Sequence, residues 1–209
     1  MIQINLSQLH MSCAGETYPA LEQIPAMQRR RLSSIAKLAL NCAIETLAQN
    51  KVNYIVWASQ YGDESKTYKI LEDVLQGVTP SPTQFSTSVH NAIAGLYSIL
   101  CQDPTPSTSL CANWSEALLE AYAYLKMSEY SARVLVVYYD APLPSVYMEY
   151  QEFQAFAMAA LVELQHPNLT MTLSNIQNHT YKYVDALKFQ QFWAEGSDSK
   201  MRVWPECNC

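Results

Sequence analysis

Glycine is scarce in this sequence: five residues in 209, at positions 15, 62, 77, 95 and 196. That spacing allows neither GxGxxG nor GxxxxGK(S/T), which removes the loops that cradle nucleotide phosphates on backbone amides. GxSxG and HExxH are absent too, and the four histidines, His10, His90, His166 and His179, share no motif. Each is expected to be a surface or locally hydrogen-bonded side chain. Charge is thin, at 15% of residues with a net charge of -6. The run Arg29, Arg30, Arg31 is too short and isolated to follow a nucleic-acid backbone, so nucleic acid is not an expected partner. Nowhere do about 18 apolar residues follow one another, and MIQINL opens without a basic region and apolar core. No membrane contact and a cytoplasmic location are therefore expected. The six cysteines form no CxxC pair and read as reduced packing thiols. The CNC tail, Cys207 to Cys209, lacks the second pair that zinc requires, and neither metal nor cofactor is expected. Sequons at Asn113, Asn168 and Asn178 carry no weight without a secretory signal.

What is present is apolar: 49% of the chain, enough to bury one sizeable core and to leave surface for a second chain to cover. Ile2, Ile4 and Leu6 alternate as in a strand, and Leu32, Ile35, Ala36, Ala39, Ala43 and Leu47 recur at helical spacing, predicting a helix over 27–49. YIVWA at 54–58 is a strand of the kind covered on both faces. DESKTYKILEDVLQG carries Thr67, Ile70, Leu71, Val74 and Leu75 on one face, with Asp63 and Glu64 where a helix dipole favours acids and Gly77 at the C-terminal cap. The prolines of VTPSPTQFST argue against regular helix. VHNAIAGLYSIL reads as a helix interrupted at Gly95, SLCA as a short strand, WSEALLEAYAYLKM as a helix and RVLVVYY as the strongest strand. FAMAALVEL is ambiguous by period, NLTMTLSNI alternates as a strand, and a last helix is expected near 182–195. Strand, helix and strand in succession make a crossover unit, and the class is α/β. No repeat, charge block or linker divides the chain, so a single domain over 1–209 is expected.

PSPTQFSTSVHNAIAGLYSI, residues 80–99, resembles the segment before the nucleophile of β-ketoacyl synthases, with Asn91, Gly95, Ser98 and Ile99 in the family places. RRRLSSIAKLAL and YIVWASQYGD look like that family's first helix and second strand, and SARVLVVYYD like the strand after its nucleophile helix. The motifs RRRLS and FSTSVHNAIAG are shared with short ketosynthase-like proteins of aryl polyene gene clusters. The likeness runs over about residues 1–165, leaving 166–209 as a C-terminal strand and helix extension. It implies half of a thiolase-like fold, a five-stranded mixed sheet layered between helices.

A synthase of this family uses a Cys thiolate at a helix N-terminus, where amides and dipole lower its pKa, together with two histidines. By the resemblance, the nucleophile position falls on Asn113 or Trp114; Cys111, the nearest thiol, lies two or three residues early and is expected as the buried end of the preceding strand. The family histidines belong to the C-terminal half, in motifs such as EAHGTGT, and the sequence is expected to stop before them. The resemblance further implies that the strand around Thr108 to Ala112, including Ser109 and Leu110, pairs with its counterpart in a partner. The alternative is an edge covered by the chain's own C-terminal residues. Residues that close a partner's acyl tunnel map onto Gln84, Phe85, Ser88 and Val89 near Asn91, and onto Thr67, Tyr68 and Leu71, with Phe85 and Tyr68 as candidates for setting tunnel length.

The expectation is a non-catalytic, chain-length-factor-like subunit. It would form a heterodimer with a full-length ketosynthase and shape the tunnel for a polyene chain growing on acyl carrier protein. A competing expectation is a small acyltransferase or thioesterase using Cys111 with His90 or His179 as base.

Overall fold

Residues 1–128, 132–172, 181–196 and 201–204 are described by the computed structural model of the protein. His179, the Asn178 sequon, the second half of NLTMTLSNI and the CNC tail lie outside them. The alternation that opens the chain runs on as β1 (Ile2–Cys13), twelve residues with a register shift between Ser7 and His10 where Gln8 adopts φ 54. The helix expected over 27–49 is two helices, α1 (Ala26–Arg29) and α2 (Ser34–Leu47). Ser33 causes the break: its Oγ accepts from Ala36 N at 3.2 Å and starts a new helix.

Next come β2 (Tyr54–Ser59), α3 (Glu64–Leu75) and α4 (Pro82–Ser86). The short helix α4 forms despite the prolines. Pro82 sits in its first turn, where no intrahelical N–H is needed, and Ser81 and Gln84 cap each other reciprocally. α5 (Ala92–Cys101) passes through Gly95 unbroken. β3 (Ser107–Cys111), α6 (Trp114–Met127) and β4 (Val134–Asp140) are the expected crossover. FAMAALVEL resolves as a strand, β5 (Phe156–Glu163), and β6 (Leu169–Met171), α7 (Tyr183–Glu195) and β7 (Arg202–Val203) follow.

The strands form one mixed sheet in the order β3-β2-β4-β5-β1-β6-β7. β3, β2 and β4 are parallel, whereas β5 runs antiparallel to both β4 and β1. Seven strands stand where five were expected. The strands beyond β1 are β6, three residues within the alternating segment NLTMTLSNI expected as a strand of the C-terminal extension, and β7, two residues and too short for periodicity to reveal.

Strand alternation divides the core. Ile55, Trp57, Leu135 and Val137 face α2 and α5, while Val56, Ala58, Val134, Val136 and Tyr138 face α6 and α7. Burial on both faces is what the continuous apolar runs of β2 and β4 predict.

Candidate functional site

The carboxyl ends of β3, β2 and β4 lie side by side, bringing together Cys111, Ser59 and Asp140. In open α/β sheets this is where ligands and chemistry gather. Here it is filled by a buried hydrogen-bond network. Asp140 accepts from Ser59 Oγ at 3.0 Å, from Gln60 N at 3.1 Å and from the Tyr138 hydroxyl. Burial raises its carboxyl to about 6 against the opposing pull of those hydrogen bonds. Ser59 Oγ in turn accepts from Gly62 N at 2.8 Å. Gly62 has φ 69, a backbone conformation that favours glycine, and an added Cβ would come into van der Waals contact with His90 at 3.4 Å.

His90 Nε2 lies 3.2 Å from the Ser59 carbonyl, to which it donates, and Cys111 Sγ donates to the Gln60 carbonyl at 3.1 Å. Thiol and imidazole thus address two separate carbonyls and are not hydrogen-bonded to each other. Cys111 does end β3 as expected, but it is exposed rather than buried, because β3 is an outer strand whose described partner is β2 alone.

The N-terminus of α6 follows directly. Asn113 is its N-cap: Oδ1 accepts from Glu116 N at 2.8 Å, and Glu116 Oε2 accepts from Asn113 N at 2.6 Å. Lys182 Nζ sits 3.0 Å from the same Glu116 oxygen. Asp185, in the first turn of α7, accepts from Ser115 N at 2.8 Å and Ser115 Oγ at 3.1 Å, and Trp204 Nε1 donates to that hydroxyl at 3.2 Å. Trp114 is fully buried against Phe189, with ring centroids 5.6 Å apart, and its indole N–H has no hydrogen-bond partner among the described residues.

A helix N-terminus lowers a thiol's pKa by presenting free amides and the positive end of its dipole. At α6 the chain's own carboxylates occupy that field. Asn113 serves as the cap and Trp114 as a core side chain, so neither candidate nucleophile position offers a nucleophile.

The residues assigned to an interface fall on a different face. Tyr68 and Leu71 belong to α3, Gln84 and Phe85 to α4, Ser88, Val89 and Asn91 to the turn before α5, and Thr108, Ser109 and Leu110 to β3. Not one residue of α3 is buried, although Ile70, Leu71, Val74 and Leu75 form an apolar stripe. Leu71 is 50% exposed, Leu75 87%, Phe85 65% and Ile99 of α5 74%. Gln84 is held within the α4 cap, its Oε1 accepting from Ser81 N at 2.8 Å, which leaves Phe85 as the projecting side chain. Thr67 Oγ1 donates to Ser88 O at 3.4 Å, joining α3 to the turn, and Tyr68 meets Tyr147 edge-on at 6.2 Å. Val74, Leu75, Ile99, Val146 and Met148 extend the exposed set; from sequence Val74 and Leu75 read only as a helix face and Ile99 only as part of the family motif, and nothing there singles out Val146 and Met148. For Val74 and Leu75 the signal is the helical stripe of α3, which reads equally well as a core face.

The β3 edge has neither Lys nor Pro within it. Among the described C-terminal elements, α7 packs on α6 and β7 pairs with β6 at the opposite edge of the sheet, so neither covers β3.

No curated protein matches the chain. Among solved structures, the ketosynthase ApeO in complex with its chain length factor ApeC from Xenorhabdus doucetiae is 26% identical, with a TM-score of 0.67 over 78% of this chain and 79% of that one. The ishigamide ketosynthase/chain length factor is 14% identical, with a TM-score of 0.55 over 72% of this chain and 48% of that one. A β-ketoacyl synthase from Burkholderia phymatum STM815 is 14% identical, with a TM-score of 0.53 over 73% and 47% respectively. The last two share the fold, and the chain spans about half the length of each. The thiolase-like α/β class expected from sequence is thus the observed one, and a helix long and apolar enough to cross a membrane is absent from the described residues. The family described as β-ketoacyl synthase, N-terminal domain, matches residues 5–204, and the chain belongs to it.

Proposed function

We propose that this chain is a non-catalytic, chain-length-factor-like subunit that pairs with a full-length ketosynthase and helps to shape the tunnel for a polyene chain carried on acyl carrier protein. One observation carries the reading: among the described residues the outer side of β3 has no strand partner, α5, which contacts it, carries the exposed Ile99, and α3, Phe85 and Val89 add further apolar surface that no described part of the chain buries. A flat edge with no Lys and no Pro is a pairing surface, and exposed apolar residues beside it mark an interface.

The occupied N-terminus of α6 supports the non-catalytic half of the reading. Carbon–carbon bond formation by this family needs an acyl thioester on a cysteine, and here that position is Asn113 or Trp114. Condensation then belongs to the partner, with this chain supplying interface and wall. Phe85 and Tyr68 are the side chains whose size would set tunnel length. Residues 1–209 act as one domain in this scheme, in the cytoplasm, without metal or cofactor.

Co-expression with the ketosynthase of the source organism, followed by mass measurement across a size-exclusion peak, tests the pairing. A 1:1 complex is expected. A well-behaved monomer that never co-purifies overturns the proposal.

A further inference from the structure

β4 and β5 are antiparallel neighbours paired as far as Asp140 and Phe156, so the ends to be joined lie side by side. About two to five residues close such a pair. Here the connection takes in residues 141–155 with no strand or helix among them, and connections longer than about 12 residues in compact domains are usually functional. This one is held along its length. Leu143 is buried on the way out; on the way back Gln151 Nε2 donates to the Tyr181 hydroxyl at 3.0 Å, Phe153 stacks on Tyr183 with ring centroids 3.9 Å apart, and Gln154 Nε2 donates to Ala14 O at 2.8 Å. At the tip two turns follow each other, closed by Tyr147 N to Pro144 O at 3.0 Å and Tyr150 N to Tyr147 O at 3.1 Å. Every residue from Ser145 to Tyr150 is exposed except Tyr147. Its hydroxyl donates to Glu64 Oε1, in the first turn of α3, at 2.7 Å, and its ring meets Tyr68 of the same helix. Val146 and Met148 flank it, Met148 with 97% of its surface free.

We infer that this tip, Val146 and Met148 braced on α3 by Tyr147, is a contact with the partner ketosynthase, which rests on the pairing proposed above and extends its surface. Tyr68, Leu71 and Leu75 succeed one another at i, i+3 and i+7, so the exposed stripe of α3 runs through Tyr68 onto Tyr147. A protein that covers the stripe therefore meets the tip beside it. Residues 141–155 include Glu149 and Glu152 but neither Lys nor Arg, which disfavours a membrane surface as the occupant. Bracing leaves little order to be lost on binding, and a methionine side chain adapts to the apolar surface it meets.

The test uses the whole chain and the ketosynthase of the source organism. The photo-crosslinker p-benzoylphenylalanine replaces Met148 in one protein and Met127 in another. Met127 is 86% exposed but closes α6, whose Tyr124 bonds to Asn53 O just before β2, at the other end of the sheet. Irradiation of the complex is expected to join the ketosynthase to position 148 at several times the yield at position 127. Met148→Asp is expected to keep the wild-type circular dichroism and melting temperature and to bind the ketosynthase roughly tenfold more weakly. If the wild-type chain binds the ketosynthase, and either the two positions cross-link equally or Met148→Asp binds as wild type does, the tip lies outside the interface and only this inference falls. A cross-link from position 148 to a second copy of the chain gives the tip to a homodimer and also overturns it. If the wild-type chain does not bind at all, the pairing fails and the inference with it.

Discussion

Asp185 of α7 holds the N-terminus of α6 through Ser115, accepting from its backbone nitrogen at 2.8 Å and its hydroxyl at 3.1 Å. Both residues are buried. The contact ties the C-terminal helix to the N-terminus of α6 and fills with a fixed carboxylate the field of its free amides. Asp185→Ala leaves the Ser115 amide and hydroxyl without this acceptor in a dry site, and should cost about 3 kcal/mol of unfolding free energy. Asp185→Asn keeps an acceptor and should cost less. Urea unfolding of the three proteins measures both, and an Ala variant as stable as wild type would remove Asp185 from the architecture.

Asp140 gives the stability a pH dependence of definite sign. Its carboxyl rises from 3.8 to about 6 on folding, chiefly through burial, so between those values the folded state holds a proton that the unfolded state has lost. Its contribution therefore favours folding below the unfolded pKa, diminishes as pH rises from about 4 to 6, and levels off above, a change of about 3 kcal/mol across the window. Asp140→Asn removes this component. Unfolding free energies of the two proteins, measured at several pH values, should diverge in slope between pH 4 and 6 and run parallel above; parallel curves throughout would mean that Asp140 ionises in the folded protein as it does in the unfolded chain.

Much of this architecture is readable from residue pattern, and the exceptions share a cause. β2 and β4 announce themselves because burial on both faces demands uninterrupted apolar runs, and α6 because its Ala and Leu residues recur at helical spacing. The break between α1 and α2 depends on one hydroxyl reaching one amide, Ser33 to Ala36, which no periodicity records. β7 is two residues long and exists because β6 offers it an edge. At the start of α6, the sequence points to the segment around Asn113 and Trp114 but not to Asp185, since Asp185 lies 70 residues from Ser115 and only the packing of α7 on α6 brings them together. The stripe on α3 is legible as amphipathic, yet amphipathicity does not say whether the apolar face meets the chain's own core or another protein. Its exposure became visible only with the neighbouring elements in place.

Cys111 reports on the β3 edge directly. It is exposed at the end of the strand, whereas Cys42 is buried, with its thiol pushed up to about 12 mainly by that burial. In the isolated chain a maleimide should label Cys111 readily and leave Cys42 untouched. Pairing along β3 should slow Cys111 labelling at least several-fold while Cys42 stays inert. Unchanged labelling in a complex of confirmed mass would place the partner away from this edge. Labelling of Cys111 by a thiol-reactive acyl mimic far faster than by a neutral maleimide would instead favour the acyltransferase reading.

Phe85 separates a wall role from a packing role. At 65% exposure it contributes little to the chain's own core, so Phe85→Ala should change the unfolding free energy of the isolated chain by no more than about 0.5 kcal/mol. In the complex with ketosynthase the same change removes an aromatic ring from the proposed tunnel wall and enlarges the cavity by the volume lost. Products should become longer, while complex mass and turnover of the first extension stay near wild type. Mass spectrometry of carrier-bound intermediates reads the distribution. An unaltered distribution from an intact complex would make Phe85 an interface residue without a part in chain length, and the tunnel wall would then have to be sought at Tyr68.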